Sequence, residues 1–235
     1  MEGTGMTDLH LSRQQLLGTV VLRFGLGFLA LAAIFFIPAG TLGYWQAWAW
    51  MAVLIVPMFG ILIYLMRNDP ALLERRMRTR ETEKPQTLMV KLSLLWFGVT
   101  FLIPGLDRRF GWSHVPVWLV VVSLLLVLAG YLYIFVVFRE NSYASRVIEV
   151  SKGQKVIDTG PYAFVRHPMY LGSILMYAFT PLALGSYVAL LPMWLIIPIL
   201  TILRIPNEEE VLRRELSGYA EYMQKVKYRL FPGIW

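Results

Sequence analysis

Six runs of apolar residues dominate this chain, and each is close to the length that crosses a bilayer. They are Leu16–Pro38, Tyr44–Met66, Leu88–Leu106, Val115–Phe138, Met169–Gly185 and Tyr187–Leu203. Runs of about 20 apolar residues are spans by length. In lipid every backbone polar group must be bonded within its own segment, so the default for each run is a helix. No alternation with a period of two competes. The last two runs are nearly continuous, broken only around Gly185-Ser186, which reads as a tight helical hairpin. Composition agrees. With 57% hydrophobic and 16% charged residues among 235, the chain lacks the polar surface of a soluble domain. The expected fold class is an all-α integral membrane protein of about six transmembrane helices with a C-terminal helical hairpin.

Charge placement orients the spans. Six spans put both termini and the 67–87 and 139–167 loops on one side, and 18 of the 22 lysines and arginines fall there. Arg108 and Arg109 alone lie in the opposite loops, while Arg23 and Lys91 sit close enough to span ends to snorkel. The basic side is the cytoplasmic one. The net charge of +7 is explained by this topology and by lipid headgroups. No zinc-finger or RNA-module signature points to nucleic acid. There is no cysteine, which excludes disulfides, thiolate metal sites and a cysteine nucleophile. No metal is expected. Met1–Gln15 lacks a short apolar region with a cleavage site, so the first run reads as a retained span. Without retention signals, the chain is expected in a bacterial inner membrane.

Composition changes after Phe138. Residues 1–138 read as a four-span membrane region. Residues 139–235 hold a polar loop, the hairpin and a charged tail, and any chemistry belongs there, on the cytoplasmic face. The aromatics Tyr44, Trp45, Trp48 and Trp50 read as an interfacial belt. A short amphipathic helix is possible after Asp69-Pro70, within a solvated, headgroup-contacting loop.

In the loop, Val147–Val150 and Lys155–Ile157 look extended, with a turn at Lys152-Gly153 and a second at Gly160-Pro161. Pro168 suits a first helical turn, because its missing N–H costs nothing there. That places Arg166 and His167 at the entrance of the fifth span, where free backbone N–H groups favour an anion. In the tail, Pro206 can start a new helix with Glu208, Glu209 and Glu210 in its first turn. If instead the helix ran through Pro206, Arg204 and Glu208 would share a face. The short hairpin turn makes residues 166–170 and 204–209 neighbours. Arg166, His167, Arg204 and Glu208 then converge with Tyr162 and Tyr170, the form of a small-molecule site. Tyr219, Tyr222 and Val226 have helical spacing and read as packing of the tail onto the loop.

These residues resemble a known group. Gly160-x-Tyr162-x-x-x-Arg166-His167-Pro168-x-Tyr170 enters a hairpin; Arg204-x-x-x-Glu208-Glu209 and Tyr219-x-x-Tyr222 follow. The phrase is similar to that of the isoprenylcysteine carboxyl methyltransferase (ICMT) family, and phospholipid N-methyltransferases share a related pattern. The motif-bearing resemblance covers Arg139 to Trp235. It implies a membrane methyltransferase that uses S-adenosylmethionine in a cytoplasmic cofactor pocket. The implied cofactor contacts are Gln154, Lys155, Val156, Ile157, Tyr162, His167, Pro168, Met169, Tyr170 and Glu208. Arg204 matches the substrate-facing arginine, and Arg204, Glu208 and Glu209 form the implied catalytic set. The third glutamate, Glu210, leaves the register of the acidic pair open by one residue, and "ELSGY" departs from the commoner Phe-Gly form of the tail. The implied acceptor is a hydrophobic small molecule or lipid-modified species, O-methylated on a carboxylate.

Three other readings remain. A phospholipid or other amine N-methyltransferase would use the same cofactor on a different nucleophile. A nicotinamide-dependent sterol or enone reductase can carry a similar Arg-His-Pro-x-Tyr phrase and a tail like Tyr228–Gly233, but tends to have more spans. A transporter or scaffold is disfavoured by span interiors nearly free of charge. No Gly-x-Gly-x-x-Gly follows a strand, so the cofactor site is not of the Rossmann type.

Overall fold

A computed structural model describes residues 12–77, 84–145 and 150–235 of the chain. The described residues form eight α-helices and no strand: α1 Arg13–Ala39, α2 Trp45–Asn68, α3 Pro70–Met77, α4 Lys84–Phe110, α5 Val117–Glu140, α6 Pro168–Ala183, α7 Leu190–Glu215 and α8 Tyr219–Lys225. The all-α membrane fold read from the apolar runs is therefore what the chain adopts. Four helices, α1, α2, α5 and α7, are long and apolar enough to cross a membrane. α4 and α6 stand where the third and fifth spans are expected.

Local signals fix the helix ends. Ser12 and Gln15 form a reciprocal capping box at the start of α1, and Gly40 ends it in the left-handed conformation at φ 65°. Asp69 caps α3 by accepting from the Leu72 amide at 2.9 Å. This short helix buries Leu72 and Leu73, so the amphipathic helix expected after Asp69-Pro70 is present and docked. α7 runs unbroken through Pro198 and Pro206, which corrects the expectation that Pro206 starts a new helix. A proline removes one backbone donor but leaves the rest of the helix in register. Arg204 and Glu208 consequently do share a face.

The bundle closes on backbone-to-backbone approaches. A Cβ on Gly130 of α5 would lie 2.7 Å from the Gly172 carbonyl oxygen of α6. A Cβ on Gly172 would in turn lie 2.8 Å from Ile134 Cγ1. On Gly105 of α4 it would lie 2.7 Å from the Phe35 carbonyl oxygen of α1. Small residues at helix crossings let van der Waals contact replace the hydrophobic drive that lipid does not supply. The α5–α6 crossing sets where the N-terminus of α6 meets the end of α5.

At one end of the bundle three interhelical turns are tied together. Buried Asp107 of α4 accepts from the Ser113 amide at 2.7 Å and from the Ser113 and Ser186 hydroxyls. Tyr44 donates to the Leu184 carbonyl, and Trp50 donates to Thr180 at 3.1 Å. The aromatic belt thus divides: Trp45 and Trp48 are exposed, whereas Tyr44 and Trp50 are core residues. They are buried because their polar tips find partners on α6 and in the turn after it. Gly185, at φ 77°, makes the hairpin turn after α6 where the break was expected.

The loop between α5 and α6 crosses the other end. The turn at Lys152-Gly153 is present, with Gly153 at φ 73°. Gly160-Pro161 opens a 3-10 turn, Gly160–Ala163. Lys155–Ile157 pairs with no strand, and Val147, Ile148 and Glu149 lie outside the described residues. Leu216, Tyr219, Tyr222 and Val226 form a small core with Val150 and Val156. The tail therefore packs on the loop, as its spacing predicted.

Candidate active site

α7 has 26 residues, about 39 Å at 1.5 Å per residue. The hydrocarbon layer is about 30 Å thick. Its apolar part ends at Leu203, and the polar part from Arg204 onward lies beside the start of α6. The three glutamates in this polar part meet three different environments. Glu208 Oε2 accepts from the Tyr170 hydroxyl at 2.7 Å, and its Oε1 is 3.8 Å from His167 Nδ1. Glu209 is 4% exposed. Its Oε1 accepts from Arg166 Nε at 2.7 Å and stands 3.2 Å from His167 Nε2, while its Oε2 accepts from Arg229 Nε at 2.9 Å. Glu210 is exposed and pairs with Arg213 at 2.6 Å. Of the three, Glu208 and Glu209 face inward and Glu210 faces solvent.

Burial alone would raise the Glu209 pKa, but the bonds from His167, Arg166 and Arg229 outweigh it and hold the carboxyl at about 2. Arg166 is equally committed. It is 8% exposed, and its Nη1 donates to the Val226 and Lys227 carbonyls at 2.7 and 2.8 Å. The Arg166 and His167 amides donate to the Tyr228 and Arg229 carbonyls, both at 2.9 Å. Arg166 thus joins the start of α6, the polar end of α7 and the C-terminal tail.

These elements enclose one side of an open cavity of about 780 Å³, counted with its mouth. Gln154, Lys155, Val156, Ile157, Tyr162, His167, Pro168, Met169, Tyr170 and Glu208 all line it. Arg204 and Glu209 are not among the lining residues. Arg204 bonds the Tyr170 hydroxyl from the α7 side, and Glu209 lies behind the wall.

The lining also includes residues that the sequence did not single out, Asn141, Tyr143, Ala144 and Ser145 after α5 and Leu212 and Leu216 from the tail, together with Tyr219 and Tyr222, whose spacing reads only as packing. Asn141 donates to the Tyr162 hydroxyl at 2.9 Å, and Tyr222 donates to the Tyr162 carbonyl at 2.8 Å. Burial pushes the Tyr162 phenol up to about 12 although the Asn141 bond opposes it, so Tyr162 is a neutral hydroxyl in the site. Arg76 of α3 donates to the Ser145 carbonyl at 3.3 Å and approaches Met169 Sδ at 3.7 Å, so the N-terminal half supports the wall. At the rim, Lys225 and Asp158 pair at 2.6 Å, and that hydrogen bond and charge lower the Asp158 pKa.

The segment that carries this wall has a known counterpart. Residues 120–214 match the sequence model of the isoprenylcysteine carboxyl methyltransferase (ICMT) family. Over that segment the chain resembles the ICMT family. The match spans α5, α6 and α7, including Arg166, His167, Arg204 and the three glutamates. The chain is also similar to a solved structure of the eukaryotic intramembrane Ras methyltransferase ICMT, determined without a monobody. The two are 18% identical over 92% of this chain and 86% of that one, with a TM-score of 0.48. That family is one of methyltransferases, and the apolar helices here are those of an integral membrane protein.

Proposed function

We propose that this chain is an integral membrane methyltransferase that takes S-adenosylmethionine into the cavity at the end of α5, α6 and α7. The carrying observation is the convergence on that cavity of all ten residues named from the motif. The donor set fits such a cofactor. Val156, Ile157 and Tyr162 offer an apolar and aromatic wall for a purine. Glu208 offers a carboxylate to positive charge. The start of α6, with His167 beside it, offers donors to a carboxylate. When bound, the cofactor supplies an electrophilic methyl group on a sulfonium.

The protein's part is positioning and exclusion of water. Arg166, Glu209 and Arg229 hold His167 in place from behind, and Arg204 and Glu208 share the Tyr170 hydroxyl. A carboxylate acceptor is already ionised near neutral pH and needs no general base; Arg204 orients it. We place the acceptor among lipidic carboxylates of the isoprenylcysteine type, entering from the bilayer. An amine acceptor would need deprotonation, and Glu208 is the carboxylate on the cavity wall for that task. Residues 139–235 are then the catalytic region and residues 1–138 its membrane support, with the cavity facing the cytoplasm.

Calorimetric titration of the purified protein with S-adenosylmethionine and, separately, with NADPH tests the reading. Binding of the first alone is expected, followed by transfer of labelled methyl to a prenylcysteine acid. Binding of NADPH alone would replace it with the reductase reading.

A further inference from the structure

Tyr219 opens α8 and is 4% exposed, yet its hydroxyl is buried without a hydrogen-bond partner. Among the described residues, Gln46, Thr100 and Ser123 also carry a buried side-chain atom of this kind, but all three lie in the membrane bundle; Tyr219 lines the cavity. A serine or threonine in a helix can turn its hydroxyl back to its own backbone. A phenol cannot, because the ring carries the oxygen away from the chain. The Tyr219 oxygen is therefore held in a place where nothing in the protein satisfies it. If Tyr219 served only to pack against Val156 and Tyr222, a phenylalanine would serve better.

The surroundings specify what the hydroxyl can meet. Glu209 and Glu208 act on it electrostatically and outweigh Arg166, which is itself bonded to Glu209; Glu208 also lines the cavity. An anionic ligand group would be repelled there. A cationic N–H donor would be attracted, and it would find the phenol oxygen as an acceptor beside the Glu208 carboxylate. We propose that the Tyr219 hydroxyl accepts a hydrogen bond from the amino group of the amino-acid moiety of the S-adenosyl ligand, with Glu208 as its counter-ion. This rests on the cofactor reading of the site and adds a contact from a tyrosine whose spacing in the sequence reads only as packing.

The test compares the purified wild type with Tyr219→Phe in three measurements. The first is thermal unfolding without ligand. The second is calorimetric affinity for S-adenosylhomocysteine. The third is affinity for 5′-methylthioadenosine, which keeps the adenosine and lacks the amino acid. Tyr219→Phe is expected to leave unliganded stability unchanged or raised, and to weaken S-adenosylhomocysteine about 3- to 10-fold. Affinity for 5′-methylthioadenosine stays at the wild-type value. Equal affinity of both proteins for S-adenosylhomocysteine overturns the contact, as does an equal loss for both ligands or a lower melting temperature without ligand. Failure of the wild type to bind either adenosyl compound overturns the cofactor reading itself, and this contact with it.

Discussion

Glu208 and Glu209 are adjacent in sequence and opposite in environment. Glu208 keeps an oxygen toward the cavity, whereas Glu209 spends both oxygens on Arg166, His167 and Arg229. Two different losses follow. Glu208→Gln is expected to weaken S-adenosylhomocysteine roughly tenfold, the scale of one charge-assisted hydrogen bond. Arg204→Ala should spare that affinity and lower kcat, because Arg204 stands outside the cofactor lining. Equal loss of cofactor affinity in both variants would contradict this division of labour. Removing Glu209 strands buried Arg166, and breaking such a pair costs about 3–5 kcal/mol. Its pH dependence has a definite sign. The folded-state pKa of Glu209 is lowered to about 2, against roughly 4.3 for a free glutamate. The stability it contributes is fully present above the unfolded value and is lost as pH falls through the folded one. Between about pH 5 and pH 2 the melting temperature of the wild type should therefore fall more steeply than that of Glu209→Gln. Parallel curves would show that Glu209 is not the titrating strut.

Among the elements, the α5–α6 crossing positions the site. α6 carries His167, Met169 and Tyr170; α5 ends at Asn141, which bonds Tyr162 across the cavity. The glycines at the crossing leave no room for a methyl group, since the atoms that a Gly130 Cβ would meet are backbone atoms of α6. Gly130→Ala should lower the melting temperature and weaken S-adenosylhomocysteine together, because α6 must shift. Gly27→Ala and Gly98→Ala, where nothing lies within 4 Å of an added Cβ, should do neither. Equal melting temperatures for Gly130→Ala and Gly98→Ala would refute the crossing argument. The elements also show what sequence could convey. Apolar run length fixed the helices, because lipid allows no alternative. Pro206 misled, because a proline is tolerated in a helix held by contacts on both sides of it, here Arg204 and Glu208 on Tyr170. Tyr143, Ala144 and Ser145 escaped notice, because the end of an apolar helix has no spacing that marks a cavity wall. Asn141 did leave a signal, a polar cap just past the last helical turn.

For the whole molecule, the two ends of the bundle have different work. At one end Asp107, Ser113, Ser186 and Tyr44 tie the interhelical turns with short polar bonds. At the other, α3, the α5–α6 loop and the tail build the cavity, and there the basic residues gather. α5, 24 residues long, separates them by about 36 Å, enough to cross the hydrocarbon. On the proposed topology the cavity loop and the Asp107 end face opposite sides of the membrane, with the basic side inward. The chain has no cysteine, so single reporters can be placed without background. Lys152 and His114 are both exposed, in the cavity loop and beyond the Asp107 end. In intact bacterial cells expressing the protein, an impermeant maleimide should label His114→Cys and leave Lys152→Cys unreacted. Inverted vesicles should reverse the result. Labelling of both from one side would mean that α5 does not cross the bilayer, and a lipidic acceptor could not reach the cavity through the helices as the proposed reaction requires.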